Sequence, residues 1–310
     1  MNFLDVIKNA PFIFTEGAVV ERLRREFAIS MHPYLEHSAL IYQEETRTIL
    51  QSIYKQYIDT VKKRNAPILI FTPTWRANYE RIHLAGMSDK NVNGDCVQML
   101  KEIRNGYHEY RSSIFIGGIM GSKGDAYKAE EALSSEDAYD FHRWQARQLS
   151  DAEVDFLFGA TLPATSEALG LAMAMAETGK PFVISFVIRP DGTLLDGVTL
   201  HDAISKIDAT VSPRPAFYMV NCVHPSVLLR ALAVDGNATQ TVQQRLLGIQ
   251  ANTSSKSPEE LDGNESLIVE DIDTLVSQME QLRSQHHLLI FGGCCGTDHQ
   301  HIQRIVESMV

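Results

Sequence analysis

The sequence has 310 residues, of which 44% are hydrophobic and 22% charged, and this composition is typical of a globular protein with a sizeable core. The formal net charge of -11 argues against nucleic acid or an anionic membrane as the main partner and favours a small molecule. Residues Met1–Lys8 carry charges where a secretory signal needs an apolar segment, so we expect a cytoplasmic protein.

Short apolar runs recur along the whole chain, and longer segments with helical spacing separate them. This alternation is typical of βαβ units that form a parallel sheet. Eight runs predict an eight-stranded (β/α) barrel of the TIM type, and because no Pro/Gly/Ser-rich linker divides the chain, we expect a single catalytic domain over residues 1–310. The predicted strands are Phe12–Phe14, Ile68–Phe71, Ile114–Ile116, Val154–Phe158, Phe182–Phe186, Ala216–Val220, Leu246–Ile249 and Leu288–Phe291.

The segments between these strands include four with apolar residues at three- and four-residue spacing, which predicts helices. A polar segment, Asn252–Glu265, follows the seventh strand and contains Pro258, so it is predicted to be a loop. Loops after strands build the active-site face of such a barrel, where this one either covers the site or is simply solvated. The predicted helices are Glu44–Lys62, Ser135–Leu149, Glu167–Thr178 and Ile272–Arg283.

Three of the four cysteines follow predicted strands at their carboxyl ends. Cys222 follows the sixth strand, and Cys294 and Cys295 follow the eighth, so the three thiols are expected on one face of the barrel. Thiolates are soft ligands that suit zinc, and three protein ligands with an open fourth position are typical of a catalytic zinc site. Cys96 stands ahead of a predicted helix and is interpreted as structural.

Other interpretations of the cysteines stay open at this point. Adjacent cysteines can form a strained vicinal disulfide, which a reducing compartment disfavours, and a buried free cysteine can serve as a small apolar residue. The glycine-rich segment can cradle a phosphate, although it lacks the Lys-Ser/Thr of a P-loop. His224, His299 and His301 lie near the cysteines in sequence and are interpreted as surface or loop residues rather than ligands.

Two cysteine motifs resemble those of the homocysteine S-methyltransferases, which include betaine- and S-methylmethionine-dependent members. Asn221-Cys222 resembles the Asn-Cys element of that family, and Gly292–Thr297 resembles its Gly-Gly-Cys-Cys-Gly-Thr element. Glu16–Ala18 is similar to the opening Asp-Gly-(Gly/Ala), and Thr72–Trp75 is similar to Thr-Asn-Thr-Tyr. The resemblance implies a zinc-dependent methyltransferase on a barrel, in which zinc is bound by Cys222, Cys294 and Cys295.

The implied reaction moves a methyl group from a small sulfonium or ammonium donor to homocysteine, giving methionine. A free thiol has a pKa near roughly 8.5 and zinc coordination deprotonates it, so transfer needs positioning more than acid–base chemistry. No catalytic residue is therefore expected beyond the metal site, and no segment is left for a separate donor-binding domain. The implied substrate-binding residues are Glu16, Gly17, Thr161, Asn221 and Trp75, the last of which can face a cationic donor or simply pack at the rim.

Two positions depart from the family pattern. The family has Glu-Thr after the fourth strand, where the Glu is expected to engage the amino group of homocysteine, but this chain has Ala160-Thr161. Glu16 replaces the usual Asp, and Glu167, about two helical turns beyond Ala160, is a carboxylate that can compensate. Two alternatives stay open: the same chemistry on a different thiol or selenol, or a catalytically inactive barrel that binds zinc or a thiol.

Overall fold

The computed structural model describes residues 2–256 and 271–310 and has the predicted barrel architecture. Eight parallel strands pair in chain order, and pairing of the first with the last closes the barrel. The strands are β1 (Ile13–Thr15), β2 (Ile68–Phe71), β3 (Ile114–Met120), β4 (Phe156–Leu162), β5 (Phe182–Phe186), β6 (Phe217–Val223), β7 (Leu246–Ala251) and β8 (Ile290–Gly293).

Helices connect the strands and cover the outside of the barrel. The four helices predicted from the sequence are confirmed, and the first of them has the predicted bounds. None of the helices in the described residues is long and apolar enough to cross a bilayer. The α-helices are α1 (Phe3–Asn9), α2 (Val20–Phe27), α3 (Glu44–Lys62), α4 (Tyr79–Leu84), α5 (Val92–Asn105), α6 (Ser135–Asp151), α7 (Thr165–Ala176), α8 (Leu200–Thr210), α9 (Pro225–Ala233), α10 (Gln240–Arg245), α11 (Ile272–His286) and α12 (His299–Met309).

The strands are buried on both faces. Every residue of β2, β4 and β5 is buried, as expected for parallel strands that pack against helices outside and against each other inside. The inner cluster is rich in aromatic residues, and Phe3 of α1 stacks on Phe156 with 4.1 Å between ring centroids. Because Phe156 begins β4, α1 closes the amino end of the barrel and leaves the carboxyl end as the open face.

Six strands extend further at their carboxyl ends than their apolar runs predicted, and the extensions of β4 and β6 shape the site. Pairing of Leu162 with Phe186 continues β4 through Ala160 and Thr161, and pairing of Val223 with Ala251 continues β6 through Cys222. Cys222 therefore lies inside the end of β6, and the prediction that it follows the strand was wrong because the strand ends three residues later than predicted. The extra residues were missed because they include polar and small side chains. Backbone hydrogen bonds to neighbouring strands place them in the sheet, and an apolar run does not mark them.

Cys96 lies within a helix rather than ahead of one, and only part of the predicted loop over 252–265 is described. Cys96 lies inside α5, which begins earlier than predicted because the Asn91 side chain accepts a hydrogen bond from the Gly94 N–H and caps it. Its side chain is fully buried, as a structural cysteine requires. In the loop predicted over 252–265, residues 252–256 have no regular structure, and 257–265 lie outside the described residues.

Candidate metal and substrate site

The ends of β6 and β8 bring Cys222, Cys294 and Cys295 together. Their sulfur atoms all lie within 4.8 Å of one another, and no other group of three potential metal ligands occurs in residues 2–256 and 271–310. Tetrahedral zinc with Zn–S bonds of about 2.3 Å separates its sulfur ligands by about 3.8 Å. The donor type and spacing therefore fit zinc. Cys294 and Cys295 are free thiols and do not form a vicinal disulfide.

An irregular backbone aims Cys222 at the other two thiols. Cys222 has a φ of 54° and Thr161, at the end of β4, a φ of 58°, a left-handed region that non-glycine residues rarely adopt. The register of β6 against β7 shifts between Asn221 and Val223. The usual alternation of side chains is broken there, so that the Asn221 amide reaches the Cys222 sulfur at 3.6 Å.

Asn221 holds this irregular backbone in place. Its Oδ1 accepts hydrogen bonds from the Thr161 N–H at 2.8 Å and the Ser185 hydroxyl at 2.7 Å. Its Nδ2 donates to the Thr161 Oγ1 at 2.6 Å as well as to the sulfur. The side chain is 3% exposed, so it links three strands in the absence of competing water. Asn221 thus positions Cys222 and Thr161.

A tight turn after β8 presents the other two sulfurs. The Cys294 N–H donates to the Ala251 carbonyl at 2.7 Å, and the Cys295 N–H donates to the Asn252 Oδ1 at 3.1 Å. The Thr297 hydroxyl closes the turn with a 2.7 Å bond to the Cys294 carbonyl. Gly296 has a φ of 82°, which explains the glycine in the motif. The turn is therefore fixed by bonds to β7 and to its own backbone.

The three thiols shift one another's pKa through hydrogen bonds. The Cys294 and Cys295 thiols donate to the Cys222 sulfur, and this lowers the pKa of Cys222 and raises the pKa of both donors. Hydroxyls of Tyr127 and Thr161 also hydrogen-bond to the Cys222 sulfur and lower its pKa further. The surrounding polar groups therefore favour a thiolate at Cys222.

Tyr127 was missed by the sequence analysis. It lies in the loop between β3 and α6, and its hydroxyl reaches the Cys222 sulfur. The charge on Cys222 raises the pKa of Tyr127, and burial adds to the effect. The available signal was its place after a predicted strand, because such loops build the open face of a barrel. That signal does not single out one residue of the loop.

Glu16 and Gly17 lie at the end of β1, on the same open face. A Glu16 carboxylate oxygen accepts a 2.9 Å hydrogen bond from the Phe71 N–H, and burial raises the pKa of this carboxyl well above its usual range. A Cβ on Gly17 would lie 2.8 Å from the Thr297 Oγ1 and 2.9 Å from the Tyr57 hydroxyl, so only glycine fits. The Gly17 N–H has no acceptor within the described part of the chain.

Trp75 lies in the loop after β2, as predicted, and is half-buried. Its ring packs against Gly121 at the end of β3 and against the aromatic cluster inside the barrel. The Arg76 guanidinium covers one ring face, with its carbon 4.2 Å from the ring centroid. A cationic ligand therefore has at most the other face of Trp75 available.

Ala160 and Glu167 bear on how an amino acid would be held. Ala160 faces the inner cluster, is 1% exposed and offers no polar atom. The Glu167 carboxylate accepts hydrogen bonds from the Lys123 N–H at 2.7 Å, the Leu133 N–H at 3.3 Å and His142 Nε2 at 3.0 Å. Glu167 anchors the loop between β3 and α6, so it does not replace the missing glutamate.

The histidines that lie near the cysteines in sequence do not belong to the group of three thiols. The His301 side chain caps α12 together with Asp298, and the His224 side chain caps α9 through Ser226. Neither belongs to the group of potential metal ligands. Their interpretation as surface or loop residues was wrong for His224, which is 2% exposed and caps a helix, but neither lies among the potential metal ligands.

Solved structures support the barrel independently. The homocysteine methyltransferase MmuM from Escherichia coli, in its metallated form, superimposes with a TM-score of 0.77 at 18% identity, covering 98% of each chain. Its oxidised form gives a TM-score of 0.76 at 19% identity, covering 97% of each chain. At this identity the likeness supports the fold. No curated protein sequence matches the chain.

The fold and the thiols define a (β/α)-barrel protein with a cysteine cluster able to hold a metal at its open face. The model of the homocysteine S-methyltransferase family matches residues 13–309, which is nearly the whole chain. The chain belongs to this family and is a homocysteine methyltransferase-like enzyme that acts on small molecules.

Proposed function

We propose that the protein moves a methyl group from a small sulfonium or ammonium donor to the thiol of homocysteine, at a zinc ion bound by Cys222, Cys294 and Cys295. The observation that carries the proposal is the approach of three sulfurs within 4.8 Å at the carboxyl end of a family-typical barrel. Zinc bound there would supply a Lewis acid that keeps a thiol deprotonated at neutral pH. The full chain, residues 1–310, acts as one catalytic domain.

The residues around the sulfurs bind and orient. Asn221 and Thr161 fix the position of Cys222, and the Tyr127 hydroxyl lies against its sulfur. The Gly17 N–H, which has no acceptor in the described residues, can donate to a substrate oxygen. In the reaction the bond from the methyl carbon to the onium atom breaks, a carbon–sulfur bond forms, and the donor leaves as a neutral molecule. Alignment of these atoms is the main task of the protein.

Glu16 suits the amino end of an acceptor. Glu16 is 7% exposed, and burial raises the pKa of its carboxyl. An ammonium group at hydrogen-bond distance opposes that rise, because an opposite charge favours the ionised carboxyl. Glu16 would thus take over part of the role that Ala160 cannot fill.

A second candidate function is the same reaction on a different thiol or selenol. Ala160 favours it, because the position is buried and apolar and the nearest carboxylate in α7, Glu167, is fully engaged elsewhere. A panel of thiols and selenols distinguishes the two candidates. Turnover of another acceptor with homocysteine inactive would select the second.

The first experiment measures methionine formation from S-methylmethionine and homocysteine by mass spectrometry, with reduced, zinc-loaded protein. We expect product from the wild type and from Cys96→Ala, whose thiol is buried in α5, but none from Cys222→Ser. Zinc content is measured in parallel and should be about one ion per chain, lost in Cys294→Ser. Full zinc retention in Cys294→Ser would contradict the metal site, and zinc-loaded wild type without product from any donor or acceptor would leave an inactive barrel.

A further inference from the structure

Arg76 follows Trp75 in the loop after β2, and a neighbouring loop fixes its guanidinium. Nη1 donates to the carbonyls of Gly124 at 2.8 Å, Ser122 at 2.9 Å and Lys123 at 3.4 Å, all in the loop after β3. The guanidinium also stacks on the Trp75 ring at 4.2 Å. Together, these contacts set both the position and the plane of the group, so it is rigid before any ligand arrives.

The charge of Arg76 has no partner within ion-pair distance in the described residues. Three acidic side chains of the surrounding loops form ion pairs with lysines instead. Glu80 lies 3.4 Å from Lys123, and Asp125 and Glu131 lie 3.8 and 3.4 Å from Lys128. Arg76 is half-buried and stays protonated, because arginine does not lose its proton in proteins. Burial lowers the pKa of Arg76, and the more distant carboxylates of Glu36, Asp125 and Glu167 offset only part of this effect, so an anionic ligand at the guanidinium would stabilise the charge further.

The unused edge of the guanidinium has the geometry of a carboxylate receptor. Nε and Nη2 of Arg76 have no acceptor in residues 2–256 and 271–310, and neither is sealed from solvent. These two nitrogens form the edge that donates two parallel hydrogen bonds to one carboxylate. A lysine at the same position would provide the charge but not the paired donors.

Arg76 is also close to the thiols through the loop that it binds. Only two residues separate Gly124, which holds Arg76, from Tyr127, which contacts Cys222, and such a segment spans at most about 11 Å between Cα atoms. The guanidinium and the thiol cluster therefore border the same open face. A small molecule that carries a reactive sulfur or onium group at one end and a carboxylate at the other can therefore contact groups held by this one loop at both of its ends.

We propose that Arg76 binds the carboxylate of an amino-acid-like substrate, either the thiol acceptor or the methyl donor. The inference rests on the proposed methyl transfer and adds a specificity-determining residue to it. Because Arg76 covers one face of Trp75, the onium group of a donor is kept away from that face, and the carboxylate end of the substrate points towards Arg76. Substrates without a carboxylate bind weakly.

The test compares each substrate with its decarboxylated analogue. The acceptors are homocysteine and aminopropanethiol, and the donors are S-methylmethionine and aminopropyl dimethylsulfonium. Arg76→Gln should raise KM for one carboxylate-bearing partner by about 10- to 100-fold with little change in kcat, as expected for loss of charged hydrogen bonds. KM for the matching analogue should not change, and Arg76→Lys should fall between. The partner that responds identifies the source of the carboxylate.

Arg283→Gln is the matched control. Arg283 also donates to a backbone carbonyl and stacks on an aromatic ring, that of Phe12 at 5.3 Å, but at the amino end of the barrel. It should leave every KM unchanged. Equal effects of Arg76→Gln on substrates and analogues, or no effect on either carboxylate-bearing partner, would overturn the proposal.

Direct binding measurements distinguish failure of the Arg76 proposal from failure of the proposed methyl transfer. If the wild type transfers no methyl group, calorimetric titration of the same four compounds replaces the kinetics. Tighter binding of a carboxylate-bearing compound than of its analogue, with the difference lost in Arg76→Gln, supports the role of Arg76 without any turnover. Equal binding of each pair to the wild type overturns it.

Discussion

Replacement of Asn221 by alanine is the most direct test of how the barrel positions Cys222. The side chain is 3% exposed and accepts hydrogen bonds from the Thr161 N–H at 2.8 Å and the Ser185 hydroxyl at 2.7 Å. Asn221→Ala leaves both buried donors unpaired, at about 1–3 kcal/mol each, so we expect a loss of about 2–6 kcal/mol in the free energy of unfolding. The left-handed backbone of Thr161 and Cys222 also loses its support.

Asn237→Ala provides a control with the same chemistry elsewhere. Asn237 is 1% exposed, accepts from the His201 N–H at 3.1 Å and donates to the carbonyls of Gly192 at 2.7 Å and Ala231 at 3.1 Å. It does not contact the thiols. We expect a similar loss of stability but unchanged zinc affinity, whereas Asn221→Ala should weaken zinc binding by about 10- to 100-fold, as for other residues that orient metal ligands.

The two quantities are measured separately. Urea denaturation of the metal-free proteins gives the free energy of unfolding, and competition with a chelator gives the zinc affinity of the folded proteins. If both variants lose stability and bind zinc equally well, Asn221 is only a buried hydrogen-bonding residue and does not position Cys222. If Asn221→Ala is as stable as the wild type, the bonds to Thr161 and Ser185 do not contribute as argued.

Three further predictions follow from single contacts. Tyr127→Phe removes a hydroxyl that stabilises the Cys222 thiolate, so the pKa of Cys222 should rise and alkylation of the metal-free protein at fixed pH should slow; an unchanged rate would contradict the contact. Glu167→Gln places an amide NH2 against either the Lys123 or the Leu133 N–H and should cost about 1–3 kcal/mol of unfolding free energy, with faster hydrogen exchange at one of these two amides but full zinc content. Burial lowers the pKa of His37 to about 4 from 6.5, so between these values the unfolded chain binds a proton that the folded chain does not, and stability falls as the pH falls. His37→Gln should remove up to about 3 kcal/mol of that fall, measured by denaturation at about pH 7 and about pH 4.5, and equal falls in both proteins would refute the assignment.

The barrel was predictable because its strands are continuous apolar runs. Parallel strands covered on both faces need apolar residues at nearly every position, and Ile68–Phe71 and Phe182–Phe186 have the same bounds in sequence and structure. The ends of β4 and β6 were not predictable in this way. Gly159–Leu162 and Asn221–Val223 include polar or small residues that pair with neighbouring strands, and such pairing depends on residues far along the chain.

Only the site residues that belong to sequence motifs or follow predicted strands could be predicted. The convergence of Cys222, Cys294 and Cys295 followed from their positions at strand ends. Tyr127 and Arg76 were not predicted, because their contacts join residues far apart in the chain and depend on a loop conformation that no local pattern sets. That conformation is fixed by Glu167, a buried carboxylate that the sequence alone offered as a substrate contact.

Ala160 separates acceptor recognition from thiol chemistry. It lies in the inner cluster, and its neighbour Thr161 carries the contact to Cys222, so a change of side chain at 160 need not disturb the sulfur geometry. A glutamate at this position would bury a carboxylate among aromatic rings, which is tolerable only when a substrate cation pairs with it. In the proposed reaction, the recognition of an amino-acid substrate would then fall to Glu16 for the ammonium and to Arg76 for the carboxylate, two groups that lie in different loops and can vary independently of the three thiols.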